Sequence, residues 1–178
     1  MSKAEPSRRA VASQAAHCAV RCGRLLIGRR LHLRDSRVGS RVPLPDGRVY
    51  AVFRESTCDQ PTSGTPVMLA VWFHLRGVPP GARVRRWLFE RLCIVNTLLF
   101  AGFDGYLVKL WMVNPATSDY AGLYSWASPS EAETYGRYIT AILHPLSQQD
   151  SVGFRVFPEW TLEEYLIRSS EVPDDRAT

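Results

Sequence analysis

Lys109, Trp111, Tyr124 and Trp126 stand close together in the stretch GFDGYLVKLWMVNPATSDYAGLYSWA, residues 102–127. One ammonium group and three large rings are the raw material of a pocket for a flat organic molecule, because rings stack on a planar ligand and a desolvated cation holds its negative charge. Lys109 lies among Val108, Leu110 and Trp111, a poor place for a merely solvated lysine. It pairs either with a carboxylate such as Glu133 or with an enolate-like substrate. His74 follows an apolar run and shares parity with Trp72 and Arg76. It reads as a general base or substrate contact, or as a satisfied histidine at a subunit face. Tyr124 and Trp126 alternate with Leu123 and Ser125, which suits core packing as well as a pocket wall. His17, Cys18 and Cys22 lack the second ligand pair of a zinc site and read as a helical face of small residues. No phosphate-binding loop, dinucleotide glycine fingerprint or Gly-x-Ser-x-Gly elbow occurs, which argues against nucleotide cofactors.

These groups need elements to hold them. Tyr106 to Val113 and Tyr120 to Ala127 are aromatic and β-branched runs on either side of Asn114, Pro115, Thr117, Ser118 and Asp119, the pattern of a hairpin. Upstream, VMLAVWFHLR (67–76) is apolar on both parities until His74, a strand buried on both faces that Pro79-Pro80-Gly81 ends. Val84, Leu88, Leu92, Val95 and Leu99 repeat at helical spacing over about 83–100. Ser128-Pro129-Ser130-Glu131 starts another helix with a serine N-cap and proline at the first position. Ala132, Tyr135, Ile139 and Ile142 are its buried stripe and Pro145 its stop. A last strand covers 151–157; residues 159–178 supply a short helix from Trp160 to Ile167 and a loose acidic tail.

Strand, helix, strand, strand, helix, strand over 67–158 is the ferredoxin-like split β-α-β order, an α+β fold. Its sheet has helices on one face. The other face is left bare for a second sheet, most simply that of a symmetry-related subunit.

The 178 residues suffice for one such domain plus an extension, and 46% hydrophobic with 22% charged residues is a globular composition. The net charge of +5 is uneven: residues 1–54 hold twelve basic and three acidic groups, and the remainder is acidic on balance. After a frayed tail over 1–9, residues 10–66 read as a basic amphipathic helix to about Arg30, an accessory hairpin around Asp46-Gly47, and a linker over 56–66. The arginines are interleaved with apolar residues, which favours cover for an acidic surface of the same molecule or a neighbouring subunit over contact with nucleic acid or a membrane. Four cysteines without disulfide-framework spacing, and no apolar run of membrane-spanning length or export signal, fit a cytoplasmic chain.

The pattern GFDGYLVKLWMVNPATSDYAGLYSW followed by SPSEAETYGRYI, with Lys109, Trp111, Gly122, Tyr124, Trp126, Ala132 and Tyr135 in place, resembles the YdhR-type monooxygenases of the dimeric α+β barrel superfamily, which includes the antibiotic-biosynthesis monooxygenases. The resemblance covers roughly half the chain, and the basic N-terminal third departs from it. It implies a homodimer, a cavity between sheet and helices, and a small hydrophobic, aromatic or polyketide-like substrate. The implied reaction is cofactor-independent oxygenation, with cyclisation or isomerisation in the same cavity as the alternative and a non-catalytic ligand-binding module as a third. Oxygenation without a cofactor needs an apolar cage and a base or anion stabiliser. The polar candidates are His74, Asn96, Lys109, Tyr124, Tyr138 and Arg155, and the stacking walls are Trp72, Trp87, Trp111 and Trp126. A helix-borne asparagine with a nearby tryptophan is a polar pair of some relatives. Here Trp87 and Asn96 are nine residues apart, half a turn off one helical face.

Overall fold

A computed structural model describes residues 8–45, 47–62, 64–77, 97 and 100–171. The hairpin forms as its residues require: β5 (Tyr106–Val113) and β6 (Tyr120–Trp126) pair antiparallel, with Lys109 opposite Tyr124 and Trp111 opposite Gly122. In the turn, the Asn114 side-chain oxygen accepts from the amides of Ala116 and Thr117, at 2.9 and 3.1 Å, and Ser118 takes the left-handed conformation. β4 (Val67–Phe73) pairs with β6 on one side and with β7 (Gly153–Phe157) on the other, so the order is β5-β6-β4-β7, all antiparallel. That is the ferredoxin-like sheet of an α+β domain. The helix expected over 83–100, and with it Trp87 and Asn96, lies outside the described residues except at Thr97 and Phe100, as do the first seven residues of the tail and residues 172–178.

The N-terminal third is not an accessory. α1 (Arg8–Ile27) ends three residues before the expected Arg30, in a Schellman cap whose left-handed residue is Arg29: its amide bonds Leu26 O and that of Arg30 bonds Leu25 O. After β1 (Leu31–Arg34) and β2 (Arg41–Pro43), β3 (Val49–Cys58) enters the main sheet between β1 and β5. The linker expected over 56–66 starts too early: Ser56 to Cys58 are strand, continuing through Glu55 the hairpin run expected to Arg54. Two of the strand's polar groups find partners inside: Glu55 accepts from the Ser36 hydroxyl at 2.7 Å and from the Arg37 guanidinium, and the Ser56 hydroxyl meets Tyr106 OH at 2.8 Å, whereas Thr57 Oγ1 is buried with no hydrogen-bond partner among the described residues.

Two β-bulges set the facing. Leu107 is the extra residue between Tyr106 and Val108, and Phe53 the extra residue between Val52 and Arg54. They place Tyr106, Lys109, Trp111, Phe53 and Ser56 on one face, although their numbers differ in parity.

That face packs against α1 and α2 (Pro129–Leu143). α2 begins in a capping box: Ser128 Oγ accepts from the Glu131 amide at 3.3 Å and lies 2.8 Å from its carboxylate. Cys18, Cys22 and Leu25 of α1 join Ala132, Tyr135, Tyr138, Ile139 and Leu143 of α2 over a layer rich in rings. Gly102 lets the turn before β5 touch α1, since a Cβ there would stand 2.0 Å from the Cys18 carbonyl oxygen.

The opposite face differs from its expectation. It is not bare: Met68, Ala70, Leu110, Met112 and Leu123 are buried within the single chain. α3 (Leu162–Glu171), opened by a Thr161–Glu164 capping box, lays Leu162, Tyr165 and Leu166 over them, beside Val42 and Leu44. Tyr165 OH donates to Pro43 O at 2.7 Å, and Arg37 reaches Glu163. Sheet residues apolar on both parities thus find both covers in their own chain. No helix among the described residues is long and apolar enough to cross a membrane.

Candidate functional site

The described candidates fall on two sides of the sheet. On the helix side, Lys109 is 3% exposed. Its Nζ stands 3.1 Å from the ring centre of Trp111, 4.1 Å from that of Phe100 and 4.9 Å from that of Tyr124. The register explains the cage: Tyr124 is directly across from Lys109, and Gly122, across from Trp111, supplies no side chain of its own. A Cβ at Gly122 would meet the Tyr124 ring at 2.8 Å. Glu133 does not serve Lys109, for its carboxylate lies on the outer side of α2 with Arg137, at 2.6 Å.

Beside the cage is a cavity with room for about 20 Å³ of water, bounded by Phe53, Phe73, Trp111, Tyr120, Tyr124 and, from α2, Ile139 and Leu143. Trp111 Nε1 is buried with no hydrogen-bond partner among the described residues. A buried indole N–H left over beside a cavity asks for an acceptor there. Behind it, Trp126 packs against Tyr106 and Tyr135, and Tyr135 OH donates to Tyr124 OH at 3.1 Å. Burial pushes the Tyr106 and Tyr135 phenols well above their usual range, and Tyr138 up to about 12. Burial likewise lifts the thiols of α1, Cys18 to about 11, so this layer offers neither phenolate nor thiolate near neutral pH. Trp126 and Tyr138 belong to the packed core behind the cavity and do not line it.

His74 is elsewhere. With Trp72 it lies at the end of β4 on the opposite face, where Trp72 stands across from Ala121 and Gly153. Its Nδ1 is 2.5 Å from Asp119 Oδ1. The other carboxylate oxygen accepts from the Thr117 hydroxyl at 2.6 Å and from Arg48. Burial works to raise the Asp119 pKa, but the bonds from Thr117 and His74 and the charge of Arg48 outweigh it and hold the carboxyl below its usual range. These groups border an open pocket of about 120 Å³, shared with Tyr50, Trp72, Phe73, Asp150 and Ser151. Arg155 is separate again, exposed on edge strand β7 with its guanidinium over Phe157.

No protein-family model matches the chain, and no curated protein matches it in sequence. Among solved structures, LmHde, a heme-degrading enzyme from Listeria monocytogenes, is similar over 64% of this chain and 72% of that one, with 15% identity and a TM-score of 0.44.

Several neighbours of the two sites are invisible to sequence reasoning. Asp119 reads as a turn residue and Arg48 as the residue after Asp-Gly, and no local pattern joins positions 71 residues apart. Phe53 enters the cavity wall through the β3 bulge. Gly122 carries the better signal, a glycine inside an aromatic strand.

Proposed function

We propose that the protein is a small enzyme that holds a hydrophobic aromatic or polyketide-like metabolite against the helix face of the sheet and oxygenates it without a cofactor, as the resemblance to the YdhR-type branch implies. One observation carries the reading: two buried donors, the Lys109 ammonium and the Trp111 indole N–H, stand beside an apolar, ring-lined cavity. A hydroxyaromatic that loses a proton becomes electron-rich enough to reduce dioxygen directly. The same donors then stabilise the oxyanion, and they act far more strongly in an apolar cage than in water. At a ring-activated methylene, CH₂ and O₂ give C=O and water, so atoms and electrons balance with dioxygen as the only co-reactant.

The test is oxygen uptake by the purified protein over a panel of quinols, naphthols and anthrones, without added flavin or metal. Uptake with one ¹⁸O atom in the product, reduced at least 100-fold in kcat/KM by Lys109→Met, is the expected result; loss of one anion-stabilising donor is worth a factor of about 10²–10³. Turnover with no label incorporated replaces the oxygenase by a cyclase or isomerase on the same donors. No turnover across the panel overturns the enzymatic reading.

A further inference from the structure

No aspartate or glutamate occurs over residues 8–34, which hold seven arginines. The arginines of the N-terminal third fall into two groups. Arg21, Arg37 and Arg48 reach carboxylates of the same chain. Arg9, Arg24 and Arg29 are exposed and have no ion pair among the described residues. Two of these three belong to a longer feature: Arg9, Ser13, Ala16, Val20, Arg24 and Ile27 recur every three or four residues along α1 and form one stripe, exposed at all six positions. The stripe lies opposite Cys18, Cys22 and Leu25, which hold the helix to the core. A helix face turned to water ordinarily carries mixed polar and charged side chains, but this one joins arginine to bare apolar groups. Val20 is 59% exposed, and Ile27, the last residue of the helix, 87%. Just beyond it the chain turns through Gly28 to the left-handed Arg29.

We propose that the outer stripe of α1 and the turn after it are a docking surface for an anionic lipid bilayer. The helix lies along the membrane plane, Val20 and Ile27 enter the boundary between headgroups and acyl chains, and Arg9, Arg24 and Arg29 meet the lipid phosphates and carboxylates. The charges select this occupant. A second copy of the chain would set arginine against arginine. A nucleic acid would answer the arginines but leave Val20 and Ile27 against a hydrated, polar backbone. A bilayer with negative charge at its surface and hydrocarbon beneath serves both kinds of side chain. The remainder of the chain, acidic on balance from residue 55 onward, is repelled by such a surface, so the field of the whole molecule turns α1 toward it. The stripe is on the outside of α1, away from the cavity beside Lys109, and its role is independent of the chemistry there.

The test is sedimentation of the full chain with vesicles of phosphatidylcholine containing about 30% phosphatidylserine, and with vesicles of phosphatidylcholine alone, in about 0.1 M salt. The protein should bind the mixed vesicles and not the neutral ones, and should lose most of that binding at about 1 M salt. Arg9→Gln, Arg24→Gln and Arg29→Asn combined should weaken binding about 100-fold, roughly fivefold for each charge near an anionic surface. Ile27→Ser should weaken it about tenfold by removing an inserted apolar group. A reporter made by Ile27→Trp should be quenched by lipids brominated on their acyl chains. Because every substituted position is exposed, thermal unfolding should be unchanged in all three variants. Failure to bind the mixed vesicles, equal binding to both kinds, or binding unchanged in the triple variant overturns the proposal, and so does a reporter that the brominated lipid leaves unquenched. Retention on duplex DNA, lost in the triple variant, with no binding to vesicles would give the face to nucleic acid instead. Self-association abolished by Ile27→Ser, again without vesicle binding, would give it to a second copy.

Discussion

The two faces of the sheet are built from alternate residues of the same three strands, yet they have become different materials. The centre of the face under α3 is aliphatic, with Met68, Ala70, Leu110, Met112 and Leu123 closed over by Leu162 and Leu166, and its rings, Tyr50, Trp72 and Tyr165 among them, stand around that centre. The face under α1 and α2 is a stack of rings, Phe100, Tyr106, Trp111, Tyr124, Trp126 and Tyr135, with an ammonium group and the unanswered indole N–H groups of Trp111 and Trp126 set into it. Aliphatic chains interdigitate to crystal-like density. Rigid rings meet edge to face and interlock less completely, and where the strand supplies Gly122 the Tyr124 ring lies over the glycine. Burial alone does not separate core from site here; the discriminating sign is a polar group buried next to space.

The comparison can be broken first by truncation. Trp126→Ala should lose about 3–5 kcal/mol and Leu123→Ala about 2–5 kcal/mol by urea denaturation, but only Trp126→Ala should disturb ligand binding at Lys109. Equal disturbance by both would mean that the faces are functionally one core. Gly122→Ala drives a methyl group into the Tyr124 ring and should lose about 1–3 kcal/mol, the range for overpacking, with greater harm to binding than to the fold; a neutral result would deny the cage its stated floor. Acid sharpens the contrast at the sheet end. The Asp119 carboxyl is held below its unfolded pKa of about 3.9, so its contribution is complete above that value and is lost as pH falls through the folded pKa. Asp119→Asn should therefore be less stable at pH 7 and lose less on acidification below about pH 4. The smallest effect belongs to Arg21→Ala, which removes an exposed pair with Asp104. It should change stability by less than about 1 kcal/mol; a larger loss would give α1 an electrostatic rather than an apolar hold on the domain.

Much of this arrangement is legible before any coordinates. The parity of β4 and the hairpin turn at Asn114 point to the ferredoxin-like sheet, and the Ser128 cap to α2, because each signal is local and a few residues long. The second half of β3 is hidden because Glu55 and Ser56 are polar and their partners, Ser36, Arg37 and Tyr106, lie 18 to 50 residues away. The cover on the second face was unreadable for the same reason, since α3 comes from the far end of the chain. Among site residues, Lys109, Trp111 and Tyr124 come together as one group because cross-strand register brings them there. His74 and Trp72 join a different group, since the strand alternation that links them also turns them away from Lys109. The basic third pairs Arg21, Arg37 and Arg48 with Asp104, Glu55, Glu163 and Asp119 of the same chain, in keeping with the intramolecular reading of its charge.

The bulge at Leu107 has a consequence for the kinds of change the gene can tolerate. Leu107 is the residue without a partner on β6, so its deletion would leave Lys109 opposite Tyr124 and Trp111 opposite Gly122. Loss of one residue between Lys109 and Trp111 would instead put one of them into the aliphatic layer. Length variants in this lineage should therefore accumulate at position 107 and be absent from the three residues that follow Val108.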